Sequence, residues 1–195
     1  MYKSIEIIDD FYTQEQLDIL FDYTSKSYFK PSLQPHSFAK DYATRFQAYP
    51  CHESTEIMND NFDKHGPVYK ILKDNLESLG FDFYYLDTFF RKIYKSEIEK
   101  SVCSHGAGIR HKDSRHFDIG GLIYLDELSS FKSGTRFFTD KRFKEAQQQE
   151  QDIQIGSKFN RAIIFDAQIS HQAMYDLDID SRFVQPFFAK VNEEN

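Results

Sequence analysis

Residues 108–126 read Gly108-Ile109-Arg110-His111-Lys112-Asp113-Ser114-Arg115-His116-Phe117-Asp118-Ile119-Gly120-Gly121-Leu122-Ile123-Tyr124-Leu125-Asp126. Gly121 to Asp126 is an apolar run of strand length. A His-x-Asp triplet precedes it. In an extended chain residues i and i+2 face the same side, so His111 and Asp113 point together and Lys112 points away. His116-Phe117-Asp118 is a second such triplet and the alternative ligand pair. Asp118 abuts the strand start at Gly120-Gly121, which leaves little room for a loop, so His111 and Asp113 rank first.

Downstream, Thr135-Arg136-Phe137-Phe138, Arg161-Ala162-Ile163-Ile164-Phe165 and Arg182 to Val191 also read as strands. Upstream, Phe81 to Ile98 reads as one long strand or a hairpin. Short strands at this spacing, with turn residues between them, predict a sandwich or barrel. Two helices support it. Thr13 and Gln16 form a capping box, with Tyr12 and Leu17 as a hydrophobic staple, predicting a helix to about Ser25. Gly66-Pro67 opens a second, with Val68, Ile71, Leu72, Leu76 and Leu79 on one face and Gly80 as its stop. Residues 30–62 read as loops with short strands, and 139–153 as a polar insertion of helical character.

His171, beyond the strand that ends near Asp166, supplies a third candidate ligand. Two histidines and one carboxylate on one face of an octahedron form the facial triad of non-haem Fe(II) sites, which leaves positions open for a chelating cosubstrate and O₂. Eleven residues on, Arg182 opens an aromatic strand. An inward-pointing arginine needs an anion and suits a carboxylate bidentately. The alternative is a local pair with Asp178 or Asp180. Tyr124 offers a hydroxyl to the same carboxylate, or is a core residue.

These motifs together resemble the Fe(II)- and 2-oxoglutarate-dependent dioxygenases of the prolyl-4-hydroxylase-like type. The resemblance runs through His111-Lys112-Asp113, Ile123-Tyr124-Leu125-Asp126, Ser133-Gly134-Thr135-Arg136-Phe137, Ala162-Ile163-Ile164-Phe165, His171 and Arg182. It covers residues 81–191 well and the first 80 loosely. Asp126 stands where the family has Asn, Asp180 where a Gly is common, and Val184 where a polar residue is common. The resemblance implies a mainly β fold with supporting helices, a double-stranded β-helix of jelly-roll or cupin-like form. Residues 1–195 would be a single domain, with 1–80 the N-terminal strand and helices and 81–191 the barrel core.

It also implies a hydroxylase that releases succinate and CO₂. His111, Asp113 and His171 would be its catalytic metal ligands, and Arg182 and Tyr124 would bind the cosubstrate. Fe(II), 2-oxoglutarate, O₂ and ascorbate are the implied cofactors. The substrate would be a peptidyl side chain such as proline, a free amino acid or another small metabolite. Halogenating relatives replace the carboxylate ligand with a small residue, so Asp113 implies hydroxylation or a related oxidation. Two other readings stand beside this one: a cupin-type metal-dependent isomerase or dioxygenase without 2-oxoglutarate, and a non-catalytic β-barrel binding module.

Composition sets outer bounds. The 195 residues hold 24 Lys and Arg against 31 Asp and Glu, a formal charge of −7. Nucleic acid and anionic membranes both attract positive surfaces, so neither is an expected partner. No apolar run reaches a membrane span and no leader precedes Asp9-Asp10, so a cytoplasmic location is expected. Cys51 and Cys103 are too few for a disulfide framework. The 20 Phe and 12 Tyr suit pleated, half-buried surfaces. Among them Phe137, Phe138, Phe165, Phe183, Phe187 and Phe188 either line a substrate pocket or fill the barrel.

Overall fold

The computed structural model describes residues 5–32, 51–54, 58–59, 66–101, 103–113, 115–138 and 152–192. Its elements, in chain order, are β1 (Ile5–Ile8), α1 (Gln14–Lys26), β2 (Phe29–Pro31), β3 (His52–Ser54), β4 (Met58–Asn59), α2 (Gly66–Ser78), β5 (Phe83–Thr88), β6 (Arg91–Tyr94) and α3 (Lys95–Ile98). Then follow β7 (Ile119–Tyr124), β8 (Ser130–Phe138), β9 (Asp152–Ser157), β10 (Arg161–Asp166), β11 (Ser170–Met174) and β12 (Ser181–Val191).

The strands form two antiparallel sheets. The larger has the order β1-β10-β7-β12-β6-β3-β2, with β5 also on β12 and β4 on β5. The smaller has the order β11-β8-β9. Isolated bridges Ala107–Met174 and His111–His171 lay residues 107–111 along the second edge of β11. The sheets face each other as a double-stranded β-helix.

Alternation along each strand sorts the side chains. On β7, Ile119 and Ile123 join β10 residues Ala162 and Ile164 and β12 residues Phe187 and Ala189 beneath the helices. Leu17 and Leu20 of α1 and Val68, Leu72 and Leu76 of α2 complete that layer. The opposite face of the same strands packs Tyr124, Ile163, Phe165 and Val184 against Phe137 and Ile155 of the smaller sheet. A period of two thus divides one sheet between two cores.

The first helix begins as expected, with both capping-box hydrogen bonds of Thr13 and Gln16 formed and Tyr12 and Leu17 buried. After the second, Gly80 adopts φ +88°, a conformation that favours glycine. Phe81 to Ile98 departs from the expected long strand or hairpin. It is β5, a break at Phe89-Phe90, β6 and the short α3, because β5 and β6 pair with successive stretches of the same long partner, β12. Of the expected insertion at 139–153, residues 139–151 lie outside the described residues, and Asp152 begins β9, so the helical expectation fails there. The Thr135 strand starts earlier, at Ser130. No helix among the described residues is long and apolar enough to cross a membrane.

Candidate metal and carboxylate site

His111 and His171 face each other across an antiparallel bridge. The His111 N–H donates to the His171 carbonyl at 2.9 Å and the His171 N–H donates to the His111 carbonyl at 2.8 Å. The imidazole centroids lie 4.4 Å apart. Asp113 is fixed by its own N–H, which donates to the Ala167 carbonyl at 3.0 Å, beyond the end of β10. Its Oδ1 lies 4.0 Å from His111 Nε2 and 3.7 Å from His171 Nε2. One ligand atom from each residue falls within 4.8 Å of the others.

Each imidazole is oriented by its other nitrogen. His111 Nδ1 lies 2.9 Å from the Ile109 carbonyl and His171 Nδ1 lies 2.9 Å from the Ile169 carbonyl. A carbonyl only accepts, so Nδ1 carries the hydrogen and the Nε2 lone pair is left for a metal. Burial, together with the neighbouring His171, pulls the His111 imidazole below its ordinary pKa, and burial does the same to His171. Both rings therefore favour the neutral, ligating form.

The carboxylate is the costly member. Burial pushes Asp113 up to about 6, opposed by His111 and Arg91. Its Oδ2 is buried with no hydrogen-bond partner. Gly120 makes room for it, since a Cβ there would come within 2.5 Å of that oxygen. A buried carboxylate oxygen without a donor is expensive unless a cation meets it. Two imidazole nitrogens and a carboxylate, each aimed at one point, suit a divalent first-row metal such as Fe(II).

Arg182 lies deeper in the barrel. It is 6% exposed, and its Nη1 donates to the Met174 carbonyl at 3.1 Å. His171 to Met174 along β11 spans roughly 10 Å of strand. Its guanidinium sits 5.3 Å from the Tyr124 ring centroid and 5.7 Å from that of Tyr175. Its Nε is buried with no hydrogen-bond partner. The local alternative of Asp178 or Asp180 does not hold: Asp178 accepts from Lys132, and Arg182 turns inward. Tyr124 is fully buried, and its hydroxyl is 2.8 Å from Thr135 Oγ1. It is thus both a core residue and the ring against which Arg182 packs.

Asp126 shares this end. With Arg182, Ser133, Ser157 and Tyr175 it lines a small, partly open pocket. Its carboxylate accepts the Phe183 N–H, and burial pushes it up to about 6 against the pull of that bond and of Arg182. The sequence marked Asp126 only as a departure from the family's Asn, and its place beside Arg182 emerges from the β7–β12 pairing.

The alternative ligand pair is not assembled. His116 is exposed, and Asp118 Oδ2 accepts the Val191 N–H at 3.2 Å. Among the described residues the only cluster of metal-ligating side chains is His111, Asp113 and His171.

No protein-family model matches the chain, and no curated protein matches it. Solved structures do. A prolyl hydroxylase from Trichoplax adhaerens, in complex with a hypoxia inducible factor peptide fragment, aligns over 96% of this chain and 83% of its own. The TM-score is 0.62 and the identity 15%. HygX from Streptomyces hygroscopicus, with nickel and 2-oxoglutarate bound, covers 98% and 84% at TM-score 0.60 and 8% identity. A 2OG-Fe(II) oxygenase family oxidoreductase from Burkholderia pseudomallei covers 95% and 84% at TM-score 0.58 and 7% identity. The chain therefore has the fold of the prolyl hydroxylases and 2-oxoglutarate–Fe(II) oxygenases. At these identities the likeness is one of fold, and the chemistry is argued from the residues.

Proposed function

We propose that this protein is an Fe(II)- and 2-oxoglutarate-dependent oxygenase that hydroxylates a small-molecule or peptide substrate. The observation that carries the reading is the convergence of His111, Asp113 and His171, with the buried, donorless Oδ2 of Asp113 among them. These three residues would hold the iron. Bound iron, with 2-oxoglutarate and O₂, supplies the oxidising chemistry and leaves succinate and CO₂ as co-products. Neighbours of the same fold are solved with nickel and 2-oxoglutarate or with a peptide.

The chain's own residues bind, orient and exclude water. Ile109 and Ile169 carbonyls set the imidazole tautomers. Arg182, with Nε unpaired and Tyr124 beneath it, is the residue to bind the distal carboxylate of 2-oxoglutarate. Phe165 and Phe137 close the space around His171, with ring centroids 4.8 and 6.1 Å from the imidazole. A barrel of cupin type without 2-oxoglutarate has no use for a buried arginine there, and a binding module has no use for a buried carboxylate at such cost.

The test is succinate formation from 2-oxoglutarate in the presence of Fe(II) and O₂. Turnover that is lost in His171→Ala and needs much higher 2-oxoglutarate in Arg182→Ala supports the reading. Iron binding that is indifferent to 2-oxoglutarate overturns it.

A further inference from the structure

Two consecutive residues hold the arginine of the candidate carboxylate site. Met174 is the last residue of β11, and its carbonyl accepts from Arg182 Nη1 at 3.1 Å. Tyr175 follows it, and its ring centroid lies 5.7 Å from the guanidinium carbon. Tyr124, on β7, puts a second ring centroid 5.3 Å from the same carbon. One ring thus comes from the larger sheet and one from a strand end of the smaller. Tyr175 is 5% exposed and lines the pocket that Arg182 and Asp126 also line.

The chain makes a seat for this tyrosine. Its N–H donates to the Gly106 carbonyl at 2.8 Å. A Cβ on Gly106 would come within 3.0 Å of the Tyr175 carbonyl oxygen, and one on Gly108 would lie 3.4 Å from the Tyr175 hydroxyl. The glycine-containing approach to His111 therefore runs directly against Tyr175. Ile93, Ile98, Cys51 and Cys103 pack with it in one buried cluster.

A buried guanidinium is costly unless its charge is met. A carboxylate meets it by taking N–H donors, the same donors that a ligand carboxylate needs. An aromatic face meets the charge and takes none. Asp126, the carboxylate in the same pocket, accepts the Phe183 N–H, and Arg182 Nε is buried with no hydrogen-bond partner. An aliphatic side chain would serve the buried cluster as well as Tyr175 does, but only a ring also stabilises the cation. Resting on the oxygenase reading above, we infer that Tyr175 is a positioning residue for the cosubstrate. Its ring fixes and stabilises the Arg182 guanidinium and leaves Nε for the distal carboxylate of 2-oxoglutarate. It acts through Arg182 and sets the affinity for that molecule, not the affinity for the metal.

The test is calorimetric titration of 2-oxoglutarate into the full-length protein loaded with Ni(II), with Ni(II) affinity measured first. Position 175 carries the native tyrosine, phenylalanine, pentafluorophenylalanine or leucine in turn. Fluorination withdraws negative charge from the ring face at nearly constant shape. Tyr175→Phe is expected to keep the Kd for 2-oxoglutarate within about twofold of the native value. Pentafluorophenylalanine and Tyr175→Leu should each raise it roughly tenfold, with Ni(II) affinity changed by less than about twofold. The fluorinated ring keeps the test valid if Tyr175→Leu does not fold. Equal Kd for phenylalanine and pentafluorophenylalanine overturns the inference. So does a loss in Tyr175→Phe as large as that in Tyr175→Leu, or Ni(II) affinity that falls in step with 2-oxoglutarate. Each of these leaves the oxygenase reading standing, whereas native protein that binds Ni(II) but no 2-oxoglutarate removes both.

Discussion

His111 and His171 exchange both backbone hydrogen bonds across a single bridge, at 2.9 and 2.8 Å. Two candidate ligands sixty residues apart in the chain are thereby locked by main-chain geometry. Their side chains then need only one further constraint each, the Nδ1–H bond to a carbonyl two residues back. This is preorganisation of a binding site by rigid elements.

Adjacent glycines test which face of β7 serves the site. A Cβ on Gly120 would meet Asp113 Oδ2 at 2.5 Å, whereas one on Gly121 would meet the Phe187 ring at 2.0 Å in the helix-side core. Gly120→Ala should cost metal affinity by an order of magnitude or more, in the range for disturbed supporting contacts. Gly121→Ala should instead cost about 1–3 kcal/mol of stability by overpacking. Metal titration and denaturant unfolding of both variants check this.

Asp113→Asn should separate function from stability. The native carboxylate is buried with a donorless oxygen. Removing its charge should stabilise the metal-free protein at pH 7.5, by about 1–3 kcal/mol. Fe(II) binding should fall sharply in the same variant. A metal-free Asn variant less stable than the native chain would mean that the carboxylate serves the fold.

Arg182→Ala should raise the KM for 2-oxoglutarate by roughly two orders of magnitude, the usual scale for losing one partner of a buried charge pair. Arg182→Lys should recover only part, because a point charge replaces a planar fork. Steady-state succinate release against cosubstrate concentration measures both.

Asp126 adds a pH dependence. Its folded pKa of about 6 lies above the ordinary 3.8, so the folded state holds its proton where the unfolded chain has lost it. Its contribution to stability therefore falls as pH rises from about 4 to about 6 and stays low above that. Ionised Asp126 also competes with a cosubstrate carboxylate for Arg182. Asp126→Asn should flatten the stability profile over that window and lower the KM for 2-oxoglutarate severalfold at pH 7.5. Unfolding midpoints and KM across pH 4–8 check it.

Much of the barrel was legible because buried strands carry their own pattern. Arg161 to Phe165 and Arg182 to Val191 read as strands and are strands, and the reading of Gly121 to Asp126 falls on β7, which runs from Ile119 to Tyr124. The capping box of Thr13 and Gln16 placed α1 at once. What could not be read was partnership. Nothing local says that Phe81 to Ile98 breaks where β5 gives way to β6 on one long partner, or that Gln-rich 139–153 ends in β9. At the site, the two His-x-Asp triplets look alike in sequence. The room before the Gly120-Gly121 strand ranks His111 first, but it is the bridge to His171 that brings the two histidines together and the Val191 N–H that claims Asp118.

In the proposed function His111, Asp113 and His171 form one Fe(II) site that 2-oxoglutarate completes. The most direct measurement is the visible charge-transfer absorption that develops when Fe(II) and 2-oxoglutarate are added anaerobically. The native protein and His116→Ala should both show the band, and His111→Ala and His171→Ala should each lose it. A band that survives His111→Ala and disappears in His116→Ala would instead place the iron on His116.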